Sequence, residues 1–323
     1  MKKFLKRLAP FIDVIVAPAV FVAALILKQV RRAGLARMPI SRAVLDLVGV
    51  LPVRDHYYEP LVVPPPSLAA RLGEDRLLPG VDLNVAAQLE LLRHLRFADE
   101  LAAFPRHKGV EGGFYFDNDA FVAGDAEVFY GLLRHFKPRQ LIEVGSGFST
   151  LLARAALAHT RALDPAYQCR HICIEPFEAR WLEQLEGIEV RRERVEEIEP
   201  ALFGRLDEND VLFIDSSHVI RPRGDVLCEY LEILPRLRPG VLVHVHDIFT
   251  PKDYPAKWVV EERRLWNEQY LLEAFLTCNP RFEVIAALNH LAHHHPDELA
   301  AAAPVYGANR QDAEPGSFWI RSR

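Results

Sequence analysis

Asp215 and His218 end the stretch "VLFIDSSH", and His246 and Asp247 fall near the end of "GVLVHVHDIF". Each pair follows an apolar run of strand length. Carboxylates at two neighbouring strand tips would face one cleft. Hard oxygen ligands of that kind suit Mg2+, which normally keeps several waters or substrate oxygens as well. A histidine three residues after the first carboxylate could reach the same cleft as a base, because imidazole titrates near neutrality. The plainer alternative is that Asp215 and Asp247 hold loop backbones while His218 is a satisfied structural residue. His244 lies inside its run and reads as a packed core histidine.

"IEVGSGFST" (142–150) offers a different chemistry. Glu143, Gly145, Ser146 and Gly147 end a strand, and a helix follows. Small residues there let backbone N–H groups and the helix N-terminus approach a polar ligand. A plain strand-to-helix turn is the alternative. Thr150 stands where a dinucleotide fingerprint has its third glycine, which counts against NAD and against a pyrophosphate. Glu175 ends the next run, in "CIEPF". A carboxylate there can accept both hydroxyls of a ribose, or it can sit at the start of the following helix and favour its dipole. "RVEEI" (194–198) at the third tip would flank an adenine ring or form a charged, solvated edge.

These residues need a scaffold. From residue 140 onward, short apolar runs alternate with helix-like stretches. The runs cover 140–144, 169–175, 188–195, 210–216, 240–247, 281–288 and 317–322; helices are expected over 149–158, 177–186, 225–236 and 262–278. Such alternation argues for an α/β fold with a mainly parallel sheet, whose ligands bind at the carboxyl ends of the strands. Upstream, 82–104 and 124–136 show helical spacing. Three consecutive prolines, Pro64, Pro65 and Pro66, imply an extended connector.

The chain has 323 residues, 50% of them hydrophobic and 26% charged, so it should bury a substantial core. A net charge of -5 gives no global reason to expect nucleic acid as a partner. The four cysteines, Cys169, Cys173, Cys228 and Cys278, have no metal-finger spacing and fit reduced thiols in a cytoplasmic catalytic domain. "LAPFIDVIVAPAVFVAALIL" (8–27) is flanked by Lys2, Lys3, Lys6 and Arg7 on one side and by Lys28, Arg31 and Arg32 on the other. It approaches the ~20 apolar residues that a membrane span needs. Asp13 and Pro18 weaken that reading. No small-residue cleavage site follows, and the two basic flanks leave the orientation open. The alternatives are a buried helix and a helix lying on a membrane surface.

Taken together, "IEVGSGFST", Glu175, "VLFIDSSH" and "LRPGVLVHVHDIF" resemble the successive signatures of class I S-adenosylmethionine-dependent methyltransferases. The resemblance covers roughly residues 120–323, and "RFEVIAAL…SFWIRS" is similar to that family's closing antiparallel strands. It implies a Rossmann-like, seven-stranded, mainly parallel sheet with helices on both faces, plus a helical N-terminal extension. The expected organisation is a hydrophobic helix over 1–35, a helical cap over 36–120 and the methyltransferase domain over 121–323. By the same resemblance, Glu143, Gly145, Ser146 and Gly147 would line the methionine and ribose part of S-adenosylmethionine. Glu175 would bind the ribose hydroxyls, and Val195 and Glu196 would lie near the adenine. Asp-x-x-His at 215–218 and the aspartate at 247 are similar to metal-assisted sugar O-methyltransferases. There the aspartates bind Mg2+ and the histidine deprotonates the acceptor hydroxyl. Related catechol-type enzymes commonly carry a third metal ligand after the second aspartate. Here Ile248 follows Asp247, so His246 or a carboxylate elsewhere would complete the set.

The expected reaction is O-methylation of a hydroxylated small molecule, sugar or glycolipid. "HDIFTPKDYPAKWVVEERRLWNEQYLLEAFL" (246–276), with Tyr254, Trp258, Trp266 and Tyr270, is the expected acceptor wall, and "RDHYYEP" (54–60) a cap over the cleft. The histidine run 293–295 reads as a metal tract or, more plainly, as a solvated loop. Membrane association and self-association into a homo-oligomer are further partner expectations. Two rival functions are an NAD-dependent oxidoreductase and a membrane-tethered binding protein with an inactive methyltransferase fold.

Overall fold

The structure, a computed structural model, describes residues 2–54, 65–109, 113–311 and 313–323. The chain divides into two compact units, residues 1–69 and 70–323. In the first unit, helix α1 (Lys2–Ala33) is followed by α2 (Pro39–Val48). Helix α1 runs through Pro10 and Pro18, and its stretch Ala9–Ala33 is long and apolar enough to cross a membrane. Phe11, Ile15 and Phe21 lie largely exposed on it. Residues 55–60 of the expected cap lie outside the described residues.

The second unit holds the sheet. After α3 (Val85–His94) and α4 (Asp125–Phe136), strand β1 (Gln140–Val144) leads into α5 (Phe148–Leu163). Strands β2 (Arg170–Ile174), β3 (Glu189–Arg191), β4 (Val211–Ile214) and β5 (Leu242–Val245) follow. Then come α6 (Glu268–Leu276), β6 (Phe282–Ala287), α7 (Leu288–His294) and β7 (Phe318–Ser322). The seven strands lie in the order β3-β2-β1-β4-β5-β7-β6. All pairs are parallel except those of β7, which runs antiparallel to both β5 and β6.

Side chains alternate between the faces, as a strand requires. Leu141, Phe213 and Leu242 pack on one side against α4 and α5 residues such as Phe129 and Leu152. Ile142, Ile214 and Val245 pack on the other against Tyr230, Ile233 and Leu272. Both faces are therefore covered, which explains why β1, β4 and β5 read as near-continuous apolar runs.

Several expected helices are shorter than their sequence periodicity implies. Over 177–186 there is only a 3-10 turn, Arg180–Gln184. The Glu175 carboxylate accepts the amides of Phe177 and Glu178, and Ala179 adopts φ 46°, so the chain turns before it can wind. The helix expected from 262 starts at Glu268, because Arg263 (φ 50°) and Leu265 (φ 61°) break it. The expected helix over 82–104 divides into α3 and a short turn, Ala98–Leu101. The stretch 225–236 is helical throughout but changes pitch twice.

Candidate active site

The carboxyl ends of β1, β2 and β4, with the loop after β3, surround a cleft of about 560 Å³. Among its lining residues are Gly145, Glu175, Val195, Glu196 and Asp215. Gly145 sits at φ 80°, and a Cβ added there would come within 1.9 Å of the Asp215 carbonyl oxygen. The first and fourth strand tips therefore touch, and only glycine fits between them. Asp215 N–H donates to the Val144 carbonyl at 2.8 Å, which carries the β1–β4 ladder one residue beyond the strand ends.

The residues around Gly145 take different positions. Glu143 is fully buried beneath the cleft. It accepts the Ser149 hydroxyl at 2.8 Å and lies 2.6 Å from His171 Nε2. Ser146 Oγ is buried with no hydrogen-bond partner among the described residues. Gly147 N–H donates to Thr150 Oγ1 at 3.2 Å, so the residue at the third-glycine position caps α5. Glu175 does two things at once. Its Oε1 holds the following turn, at 2.9 and 2.7 Å from two amides, while Oε2 lies 3.4 Å from Ser146 N. Val195 is buried and Glu196 half-buried at the same rim.

Asp215, His218 and Asp247 converge beside this cleft, with ligand atoms within 4.8 Å of one another. His218 Nε2 is 3.3 Å from Asp215 Oδ1 and 3.6 Å from Asp247 Oδ2. Its Nδ1 lies 2.9 Å from Oε2 of Glu268, whose other oxygen accepts the Tyr230 hydroxyl at 3.1 Å. Glu268 is completely buried. The backbone joins the same clamp: the N–H groups of Asn267 and Glu268 donate to the His218 carbonyl at 3.0 and 3.2 Å. His218 (φ 60°) and Asp247 (φ 57°) both occupy the left-handed region, a strain that surrounding structure must hold and that often marks functional sites. The Trp266 ring lies 4.4 Å from the His218 ring.

Electrostatics polarise the cluster. Burial opposes charge on Asp215, but His246 and the bonded His218 outweigh it and hold the carboxyl down to about 2. Burial would likewise lower His218, yet Asp215 and Glu268 push its pKa well above the ordinary value. Burial pushes His244 well below its ordinary value. His244 bonds Ser317 Oγ at 2.9 Å and stacks on Phe213, the expected core histidine. His246 Nε2 lies 3.8 Å from Asp247 Oδ1, and its Nδ1 is buried without a partner among the described residues. Burial works against its charge too, but Asp247, Asp215 and Asp125 raise its pKa.

Residues 142–248 match a family model described as a methyltransferase domain. That span runs from β1 past Asp247 and so contains every strand-tip residue named above. This stretch is therefore similar to a methyltransferase domain. An uncharacterized protein of Archaeoglobus fulgidus is 25% identical over 145 residues, covering 43% of this chain and 64% of that relative's length. Among solved structures, the O-methyltransferase from Bacillus cereus in complex with SAH is similar at 15% identity and TM-score 0.35, covering 80% of this chain and 97% of that one. The TDP-rhamnose 3'-O-methyltransferase CalS11 is similar at 14% identity and TM-score 0.38, covering 73% and 93%.

The four aromatics of 246–276 divide by position. Trp266 lies against His218, and Trp258 meets Trp266 edge-on at 5.2 Å, with the Arg264 guanidinium over both rings. Tyr254 is buried and its oxygen accepts Gln269 N–H at 3.0 Å. Tyr270 is partly exposed and donates to Asp253. Glu268 and Tyr230, which anchor His218, carried no signal in the sequence. One sits in the first turn of a helix and the other mid-helix, where a carboxylate and a tyrosine have ordinary structural uses.

Proposed function

We propose that the chain is an S-adenosylmethionine-dependent O-methyltransferase acting on a hydroxyl of a small molecule, favouring a sugar or lipid-linked sugar. The observation that carries this reading is the clamped His218. One ring nitrogen is fixed on a fully buried carboxylate, and the other faces two aspartates at the edge of the cleft.

The cleft suits the cofactor. Gly145 leaves no side chain between the strand tips, and the unpartnered Ser146 hydroxyl offers a polar contact. Gly145, Ser146 and Gly147 would hold the methionine and ribose end. Glu175 would take the ribose hydroxyls through Oε2, and Val195 and Glu196 would flank the adenine. Glu143 would contribute from beneath, fixing the first turn of α5 through Ser149. Bound there, the cofactor supplies a methyl group already electrophilic on its sulfonium.

The protein's own task is to align an oxygen nucleophile and remove its proton. His218 Nε2 is the acceptor of that proton, and Glu268 holds the ring in the orientation and tautomer that leave Nε2 free. Asp215 and Glu268 favour the charged imidazole, so engagement of Asp215 by a cation would favour the free base at Nε2. The two carboxylates fit a divalent cation such as Mg2+, which would lower the acceptor hydroxyl's pKa and fix its position. Trp266 would pack on the C–H face of a sugar.

Calorimetric titration of the full chain with S-adenosylmethionine, and separately with NAD, tests the reading. Saturable binding of the sulfonium cofactor is expected, weakened at least about tenfold in Glu175→Ala. A folded protein that binds NAD, or neither ligand, removes it. We further propose that α1 attaches the chain to a membrane, supported by the length and exposure of its apolar stretch.

A further inference from the structure

A second cluster of metal-ligating side chains shares no residue with the active site. Helix α7 puts His290 and His294 one turn apart on one face, and their rings stack with centroids 4.5 Å apart. Asp75, more than two hundred residues earlier, reaches the same place: its Oδ2 lies 2.7 Å from His294 Nε2. One ligand atom from each of Asp75, His290 and His294 lies within 4.8 Å of the others. His290 Nδ1 is buried and has no hydrogen-bond partner among the described residues. The run 293–295 is not itself the cluster, because His293 turns to Glu314 at 3.2 Å.

We propose that Asp75, His290 and His294 form a binding site for a zinc-like divalent cation, separate from the catalytic centre. Two imidazoles and one carboxylate are a borderline donor set, suited to Zn2+ and poor for Mg2+, which prefers oxygen alone. Two histidines at i and i+4 on a helix are a common way to present adjacent nitrogens to such an ion. Metal–nitrogen and metal–oxygen bonds of ~2.0–2.2 Å place tetrahedral donors a little over ~3 Å apart. The Asp75–His294 contact must therefore open slightly, and both side chains are exposed enough to move. A water completes the coordination.

The carboxylate is already oriented for the task. Lys252 Nζ holds the other oxygen, Oδ1, at 2.9 Å and also donates to the Gly73 carbonyl at 2.7 Å. It would stay outside the coordination sphere, fixing the ligand while moderating affinity by its charge. The consequence is a clip. The segment around Asp75 is already tied to residues 251–253, through Arg76 N–H on the Pro251 carbonyl and Asp253 N–H on the Leu72 carbonyl, and the cation would fasten it to α7 as well. The site should therefore be visible in stability as well as in binding.

The test uses the full chain stripped of metal, titrated with Zn2+ in excess Mg2+, and in parallel with Co2+ to read coordination from its visible absorption. The expected result is a four-coordinate Co2+ spectrum and a zinc-dependent rise in thermal midpoint. Zinc affinity should fall at least about tenfold in His294→Ala and in Asp75→Asn, and should hold in Asp215→Asn. Both first variants replace exposed side chains, so the fold should survive them. Unchanged zinc affinity in those two variants overturns the proposal. So does a zinc signal that vanishes only in Asp215→Asn, or the absence of zinc binding to the wild-type chain.

Discussion

His218 and Gly145 leave the least room for substitution. His218→Ala should lower turnover by about 10²–10⁴-fold, the usual contribution of a positioned base, while cofactor affinity in calorimetry stays near wild type. Undiminished turnover would remove His218 from the chemistry. Gly145→Ala meets two penalties. The added Cβ would lie 1.9 Å from a backbone oxygen, and the left-handed φ of 80° is unfavourable for alanine. Overpacking and strain together should cost about 2–4 kcal/mol in denaturant melts, with loss of cofactor binding. Glu143 shows how chemistry can be misplaced by sequence alone. Its position in "IEVGSGFST" suggests a lining residue, but strand alternation turns its side chain down into a sealed contact with His171 and Ser149.

At the scale of elements, α4 is tied to its neighbours by one buried cation. Arg134 donates to both Glu100 oxygens, at 2.7 and 2.8 Å, and to Thr160 Oγ1 on α5 at 2.8 Å. The Arg134 bonds hold the Glu100 carboxyl below its ordinary value of 4.5. Its folded pKa is thus depressed relative to the unfolded chain. The stability it contributes is fully present above 4.5 and is lost as pH falls through the lowered value. Glu100→Gln should cost about 1.5–3 kcal/mol at neutral pH, with a smaller deficit under acid, read from urea midpoints across the pH range. The elements that departed from expectation did so for local reasons. Helical periodicity over 177–186 lost to the turn that Glu175 closes, and the start of α6 was delayed by two left-handed residues. A period-3.6 pattern shows which face would be buried, but not where a side chain captures backbone donors first.

At the scale of the whole molecule, deleting residues 1–35 should move the protein from the membrane pellet to the supernatant on fractionation, with cofactor affinity retained. Sedimentation unchanged by the deletion would remove α1 as the anchor. The α/β class, the seven strands, their mainly parallel sheet and the tip residues Asp215, His218 and Asp247 were legible in the sequence. Apolar runs alternating with helices are a local signal, and a residue's place at a strand end is local too. What only the tertiary structure decided is the company those residues keep. Glu268 lies 50 positions from His218, Tyr230 reaches Glu268 from another helix, and Asp75 meets His294 across 219 positions. Such pairs are made by crossover connections and packing, which fix distances that no spacing along the chain contains. The sequence by itself therefore determined which chemistry was available and on which strand tips. The fold decided which nitrogen faces the cleft, which carboxylate is sealed beneath it, and which histidines share a partner.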